Sequence, residues 1–214
     1  MKYDLVIFDL DGTLLDTLDD ITHSCNVALE NNGLPIHTKE EVRFMVGNGI
    51  PKLIQRAIPE NSNQKLFDKV LQDFLNHYQK HSSEKTKPYD GMVDCLKNLK
   101  NLGIKLAVNS NKVESASIEL CSRFYPGIFD CVAGNVPERR VKPFTDGVEY
   151  ILKKTGCKSA VYVGDSDVDI ATGKNAGIPA IGVDWGFRGK DFLIKNGAVQ
   201  VAMNPEELYK IIRS

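Results

Sequence analysis

Short apolar runs alternate along most of this chain with segments whose apolar positions recur at helical spacing. Leu5-Val6-Ile7-Phe8, Ile104 to Val108 and Ala160 to Val163 are too short for helices and rich in β-branched residues, so they read as buried strands. Asp130 to Ala133, Ala180 to Val183 and Ala198 to Ala202 are shorter or less regular strand candidates. Helical periodicity fills the intervals, at Met92 to Leu102, Val113 to Phe124, Phe144 to Lys154 and Asp167 to Ala176. Asn204-Pro205-Glu206-Glu207 caps a last helix. Such alternation predicts an α/β fold with a doubly wound, mostly parallel sheet.

Residues 16–86 follow a different pattern. Leu18, Ile21, Cys25, Ala28 and Leu29 share one helical face, which Asn32-Gly33 ends. Thr38 with Glu40 and Glu41 reads as an N-cap and acidic first turn, and Pro51 suits the start of a helix after Gly47-Asn48-Gly49. Leu66, Val70, Leu71, Phe74, Leu75 and Tyr78 trace a further face. No strand pattern occurs there. The expected organisation is a core of residues 1–15 and 87–214, interrupted by an all-helical insert of residues 16–86.

The polar residues at the strand ends carry the candidate chemistry. The first strand runs into Asp9-Leu10-Asp11-Gly12-Thr13, the second into Asn109-Ser110-Asn111-Lys112, and the third into Gly164-Asp165-Ser166-Asp167-Val168-Asp169. Lys142-Pro143 precedes the helix that begins near Phe144. In an open parallel sheet the carboxyl ends of the strands face one crevice, where ligands bind. Carboxylates beside core strands are costly unless paired, and a divalent cation with a phosphate group would compensate them. Ser110-Asn111 also suits an ordinary helix N-cap. Asp165-x-Asp167-x-Asp169 mimics the start of a calcium loop, but Ile170 and Ala176 stand where that loop needs Gly and Glu.

Bulk properties exclude more than they suggest. The formal net charge of the 214 residues is −1, so no global field favours nucleic acid or an anionic membrane. An anionic ligand has to be held locally. The five cysteines form no Cys-x-x-Cys pair and read as free thiols of a reducing cytoplasm. No apolar run approaches the ~20 residues of a membrane span.

Four ordered motifs, Asp9-x-Asp11-Gly12-Thr13, Ser110-Asn111, Lys142-Pro143 and Gly164-Asp165 with Asp169, make the chain resemble haloacid-dehalogenase-superfamily phosphatases of the phosphoglycolate-phosphatase-like group. The resemblance spans nearly the whole chain. It implies a Rossmann-like core with a helical cap and a Mg²⁺-dependent phosphomonoesterase, acting on 2-phosphoglycolate or another small phosphorylated metabolite. By the resemblance, Asp9 is the nucleophile that becomes an aspartyl-phosphate, and Asp11 is the acid and base. Asp9, Asp11 (through its carbonyl) and Asp165 are metal ligands, and Asp169 supports a bound water or Lys142. Thr13, Ser110, Asn111 and Lys142 form the phosphate-binding set, with Thr13 also holding the turn. Arg43 and Asn48 of the cap are candidate substrate contacts, weighed against solvated helix faces. Asn109 departs from the family, which more often has an apolar residue there. Asp11 argues against a dehalogenase, whose leaving group needs no proton, but leaves inorganic pyrophosphatase and phosphosugar mutase open. The non-enzyme alternatives are a receiver-like phospho-acceptor and a degenerate binding protein. No nucleic acid or membrane partner is expected, and a monomer or homodimer is.

Overall fold

A computed structural model describes residues 2–214 of the chain. In chain order the elements are β1 (Leu5–Phe8), β2 (Leu15–Asp16), α1 (Leu18–Glu30), α2 (Lys39–Met45), α3 (Ile50–Ala57), α4 (Gln64–His81) and β3 (Lys87–Pro88). There follow α5 (Met92–Asn101), β4 (Lys105–Val113), α6 (Glu114–Phe124), β5 (Cys131–Asn135), α7 (Asp146–Thr155), β6 (Ala160–Gly164) and α8 (Asp167–Asn175). Then come β7 (Ala180–Val183), α9 (Lys190–Lys195), β8 (Val201–Ala202) and α10 (Pro205–Arg213). The chain divides into two compact units: one comprises residues up to Leu15 together with Pro88–Ser214, the other Asp16–Lys87.

The first unit is built on a six-stranded sheet in the order β5-β4-β1-β6-β7-β8, with every neighbouring pair parallel. It is an α/β, Rossmann-like fold. A parallel sheet is covered on both faces, which is why its strands are continuously apolar rather than alternating. Val6, Phe8, Leu106, Val108, Val161 and Val163 pack on one side with Met92, Leu96 and Leu99 of α5 and Leu208 and Ile212 of α10. Leu5, Ile7, Ala107 and Tyr162 pack on the other with Val148 and Ile151 of α7.

The structure departs from the sequence expectations in four places. β4 does not stop at Val108 but continues to Val113. Consequently Ser110 and Asn111 are not a helix N-cap: that position belongs to Val113, which makes no side-chain cap. Lys142-Pro143 is a cis peptide in a turn, and α7 begins only at Asp146. The six-residue α9 and the two-stranded β2–β3 pairing carried no periodic signal.

The second unit contains α1 to α4. The expected face of α1, Leu18, Ile21, Cys25, Ala28 and Leu29, is buried, and α1 packs against α4 through Val70, Phe74 and Tyr78. Thr38 and Glu41 form a reciprocal capping box at α2. The buried Asp20 carboxylate accepts hydrogen bonds from the backbone N–H groups of Lys85 and Thr86 and from the Thr86 hydroxyl, at 2.7–3.1 Å. Scattered in sequence, His23, His77 and His81 meet here with ring centroids 5.0 and 4.2 Å apart, and His77 Nδ1 lies 2.9 Å from Ser24 Oγ. Among the described residues, no helix is long and apolar enough to cross a membrane.

Candidate active site

Because all six strands are parallel, the residues that follow them lie along one edge of the sheet. Asp9 follows β1, Asp165 follows β6, and Ser110 to Lys112 form the last part of β4. β1 is flanked by β4 on one side and β6 on the other, so Asp9 stands between the Ser110 segment and Asp165. This is where the strand order reverses, the position at which α/β sheets bind ligands.

Lys142 reaches into this edge from the turn before α7. Its Nζ lies 2.7 Å from Asp9 Oδ1 and 2.7 Å from Asp169 Oδ1, and all three side chains are buried. Asn111 holds the Lys142 backbone from both sides: its Oδ1 accepts from Lys142 N–H at 2.8 Å, and its Nδ2 donates to the Lys142 carbonyl at 3.4 Å. Asp169 is oriented in turn by the Ser166 N–H and hydroxyl, which donate to Oδ2 at 3.1 and 2.6 Å. The Tyr162 ring packs beneath, 5.9 Å from Lys142 Nζ, and its hydroxyl donates to the Asn109 carbonyl at 3.1 Å.

One oxygen each from Asp9, Asp165 and Asp169 lie within 4.8 Å of one another. Asp9 and Asp169 share the Lys142 ammonium, Asp165 feels it and Arg188 only at longer range, and the electrostatics follow from that imbalance. Burial, then Asp169, push the Asp9 carboxyl well above the usual carboxylate range, with Lys142 only partly opposing them. Burial and Asp169 push Asp165 up to about 7, against the Phe187 N–H, which donates to Oδ2 at 2.7 Å. For Lys142, burial disfavours its charge, but Asp169 and Asp9 outweigh it and hold the ammonium well above the usual lysine range. Uncompensated negative charge on clustered oxygen donors fits a hard divalent cation. Asp169 joins the two expected ligand side chains, Asp9 and Asp165, while the Asp11 carboxylate, expected to act through its backbone carbonyl only, points to Lys112. Lys142 engages Asp169 Oδ1 and Ser166 engages Oδ2. Asp167 lies in the first turn of α8 and outside the cluster.

The turn after β1 is shaped by contacts to Asp165. The Thr13 hydroxyl donates to Asp165 Oδ1 at 3.3 Å, so in this structure it braces a carboxylate. Gly12 has φ +87°, and a Cβ there would collide with the Asp165 carboxylate; one on Gly186 would collide with the Asp165 side chain and the Gly12 carbonyl. Trp185 donates its indole N–H to the Thr13 carbonyl at 3.0 Å, as a packing residue does. The Ser110 hydroxyl is buried and accepts from the Lys112 N–H at 3.2 Å.

Lys112 is a site residue that sequence reasoning passed over. It is only 6 % exposed, and its Nζ lies 3.0 Å from both Asp11 oxygens. The signal available was its place in the same polar run as Ser110 and Asn111 at the end of a strand. Arg139, three residues before Lys142, pairs with Glu114 at 2.7 Å and donates to the Gly134 carbonyl. Arg43 and Asn48 belong to the second unit. There Arg43 pairs with Glu40 at 3.2 Å, and Asn48 Oδ1 accepts from Arg56 at 2.8 Å.

A family model for haloacid dehalogenase-like hydrolases matches residues 6–183. Phosphoglycolate phosphatase of Pseudomonas savastanoi pv. phaseolicola is 32% identical over 97% of this chain and 78% of its own length. The Aquifex aeolicus enzyme of the same name is 32% identical over 86% of this chain and 85% of its own. A crystal structure of a candidate phosphoglycolate phosphatase from Lactobacillus delbrueckii subsp. bulgaricus superposes with a TM-score of 0.95 at 36% identity, covering 99% of both chains.

Proposed function

The chain belongs to the haloacid dehalogenase-like hydrolase family, and we propose that within it the protein is a Mg²⁺-dependent phosphomonoesterase acting on 2-phosphoglycolate or a similar small phosphate ester. The observation that carries this reading is the buried group of Asp9, Asp165 and Asp169 around Lys142 at the switch point of the sheet. The names of the 32%-identical relatives support the substrate class.

Asp9 attacks the phosphorus, the bond to the leaving oxygen breaks, and an aspartyl-phosphate forms. Asp11 gives its proton to that oxygen. Water then attacks the phosphorus as Asp11 takes a proton back, and Asp9 is released with inorganic phosphate. Lys142 and the Ser110 hydroxyl balance the charge on the phosphoryl oxygens, and Asn111 keeps Lys142 in place. Asp9 and Asp165, with the Asp11 carbonyl, would hold Mg²⁺, which when bound adds positive charge at the phosphoryl group. Asp169 would hold Lys142 and the site's water. Arg43 and Asn48 are proposed contacts for the rest of the substrate. The protein is read as cytoplasmic, on the strength of five free cysteines. It is further read as a monomer or homodimer with a small metabolite as its partner.

The test is phosphate release from 2-phosphoglycolate, pyrophosphate, phosphosugars and nucleotides, with and without Mg²⁺. Turnover abolished by chelator and by Asp9→Asn is the expected result. Release that survives Asp9→Asn would remove the aspartyl-phosphate step.

A further inference from the structure

We infer that Lys112 is the positioning residue for Asp11, fixing the carboxylate that serves the leaving oxygen. This rests on the reading of Asp11 as proton donor.

A lysine is seldom buried unless its charge is paired. Lys112 is 6 % exposed, and its ammonium meets both oxygens of Asp11 at 3.0 Å. A single contact would leave the carboxylate free to turn about its last bond. Contact with both oxygens restrains that rotation, which decides whether an oxygen of Asp11 faces the bond being cleaved. Lys142 cannot do this, because it already spans Asp9 and Asp169 at 2.7 Å each.

The placing of Lys112 follows from its strand. Its N–H donates to Ser110 Oγ at 3.2 Å, and the Ser117 hydroxyl anchors the next residue, donating to the Val113 carbonyl at 3.1 Å. Three consecutive residues therefore set three parts of the site. Ser110 supplies a hydroxyl, Asn111 grips the backbone of Lys142, and Lys112 grips Asp11. The end of β4, where its pairing with β5 shifts between Asn109 and Val113, fixes the nucleophile's lysine and the acid's lysine together.

A leaving-group comparison separates this role from a structural one. Alkyl phosphates need a proton on the departing oxygen, whereas p-nitrophenyl phosphate expels a stable phenolate without one. The quantity to compare is kcat/KM, which covers only the steps up to departure. Lys112→Met is expected to lower kcat/KM for 2-phosphoglycolate by at least about tenfold more than for p-nitrophenyl phosphate, a fraction of what a general acid contributes. Lys112→Arg should restore part of the difference, and Asp11→Asn should show the same selective loss. Equal losses on both substrates with Lys112→Met would overturn the inference. If Lys112→Met does not fold, Asp11→Asn is compared with Asp11→Asn/Lys112→Met, which leaves no unpaired charge. Once Asp11 is neutral, losing Lys112 should add no further selective loss, and a further one overturns the proposal. If Asp11→Asn itself is unselective, the proton-donor reading fails; if it is selective and Lys112→Met is not, only the positioning role does.

Discussion

At the scale of single residues, the site is organised by what each carboxylate is allowed to touch. Asp165 is enclosed by Thr13, the Phe187 N–H and the glycines at 12 and 186, leaving no room for an extra methyl group. Gly12→Ala is therefore expected to strain a backbone at φ +87° and displace the Asp165 carboxylate together. A cost of roughly 1–3 kcal/mol follows from the backbone alone. Chemical denaturation should show it, and phosphate release should fall more steeply than stability does. Lys112 illustrates what a residue's neighbours in sequence conceal. Its place after Asn109-Ser110-Asn111 does not say which carboxylate it meets, and only the fold brings Asp11, 101 positions earlier, within reach.

At the scale of elements, apolar periodicity located most strands and helices, and the error at β4 has a plain origin. The pattern tracks burial of apolar side chains, so it marks the end of β4 at Val108, where polar residues begin. The strand goes on because Asn111 and Lys112 find polar partners inside the fold, on the turn before α7 and on Asp11, and that information lies in other segments. The capping of α10 was fully legible because its partners are local. Asn204 Oδ1 accepts from the Glu207 N–H at 2.9 Å, and the Glu207 carboxylate accepts from the Met203 N–H at 2.8 Å. Asn204→Ala is expected to cost about 1 kcal/mol in denaturant unfolding while leaving kcat/KM unchanged.

At the scale of the whole molecule, the shared charge of the site couples stability, protons and metal. An acid whose pKa is raised by folding holds a proton that the unfolded chain has already lost. Asp165 rises from 3.8 to about 7, so with metal absent its contribution to stability falls as pH climbs through that interval. Mg²⁺ would displace that proton, so binding is weaker where the proton is held. Addition of Mg²⁺ is expected to raise Tm more at pH 8 than at pH 5, in thermal unfolding with chelator as reference. A Tm gain independent of pH would count against these carboxylates as the cation site.

The amino-acid sequence by itself determined the α/β core, the helical character of residues 16–86, and four motifs whose residues stand at strand ends and turns. These are legible because burial and capping leave their period, and their partners, within a few positions. Tertiary structure alone decided which lysine serves which aspartate, that Asp169 stands in the carboxylate cluster with Asp9 and Asp165, and that Ser110 and Asn111 lie on a strand rather than at a helix start. Those facts depend on distances between segments that lie from 27 to 101 residues apart and further. A parallel sheet sets such distances through its strand order, which no local pattern encodes.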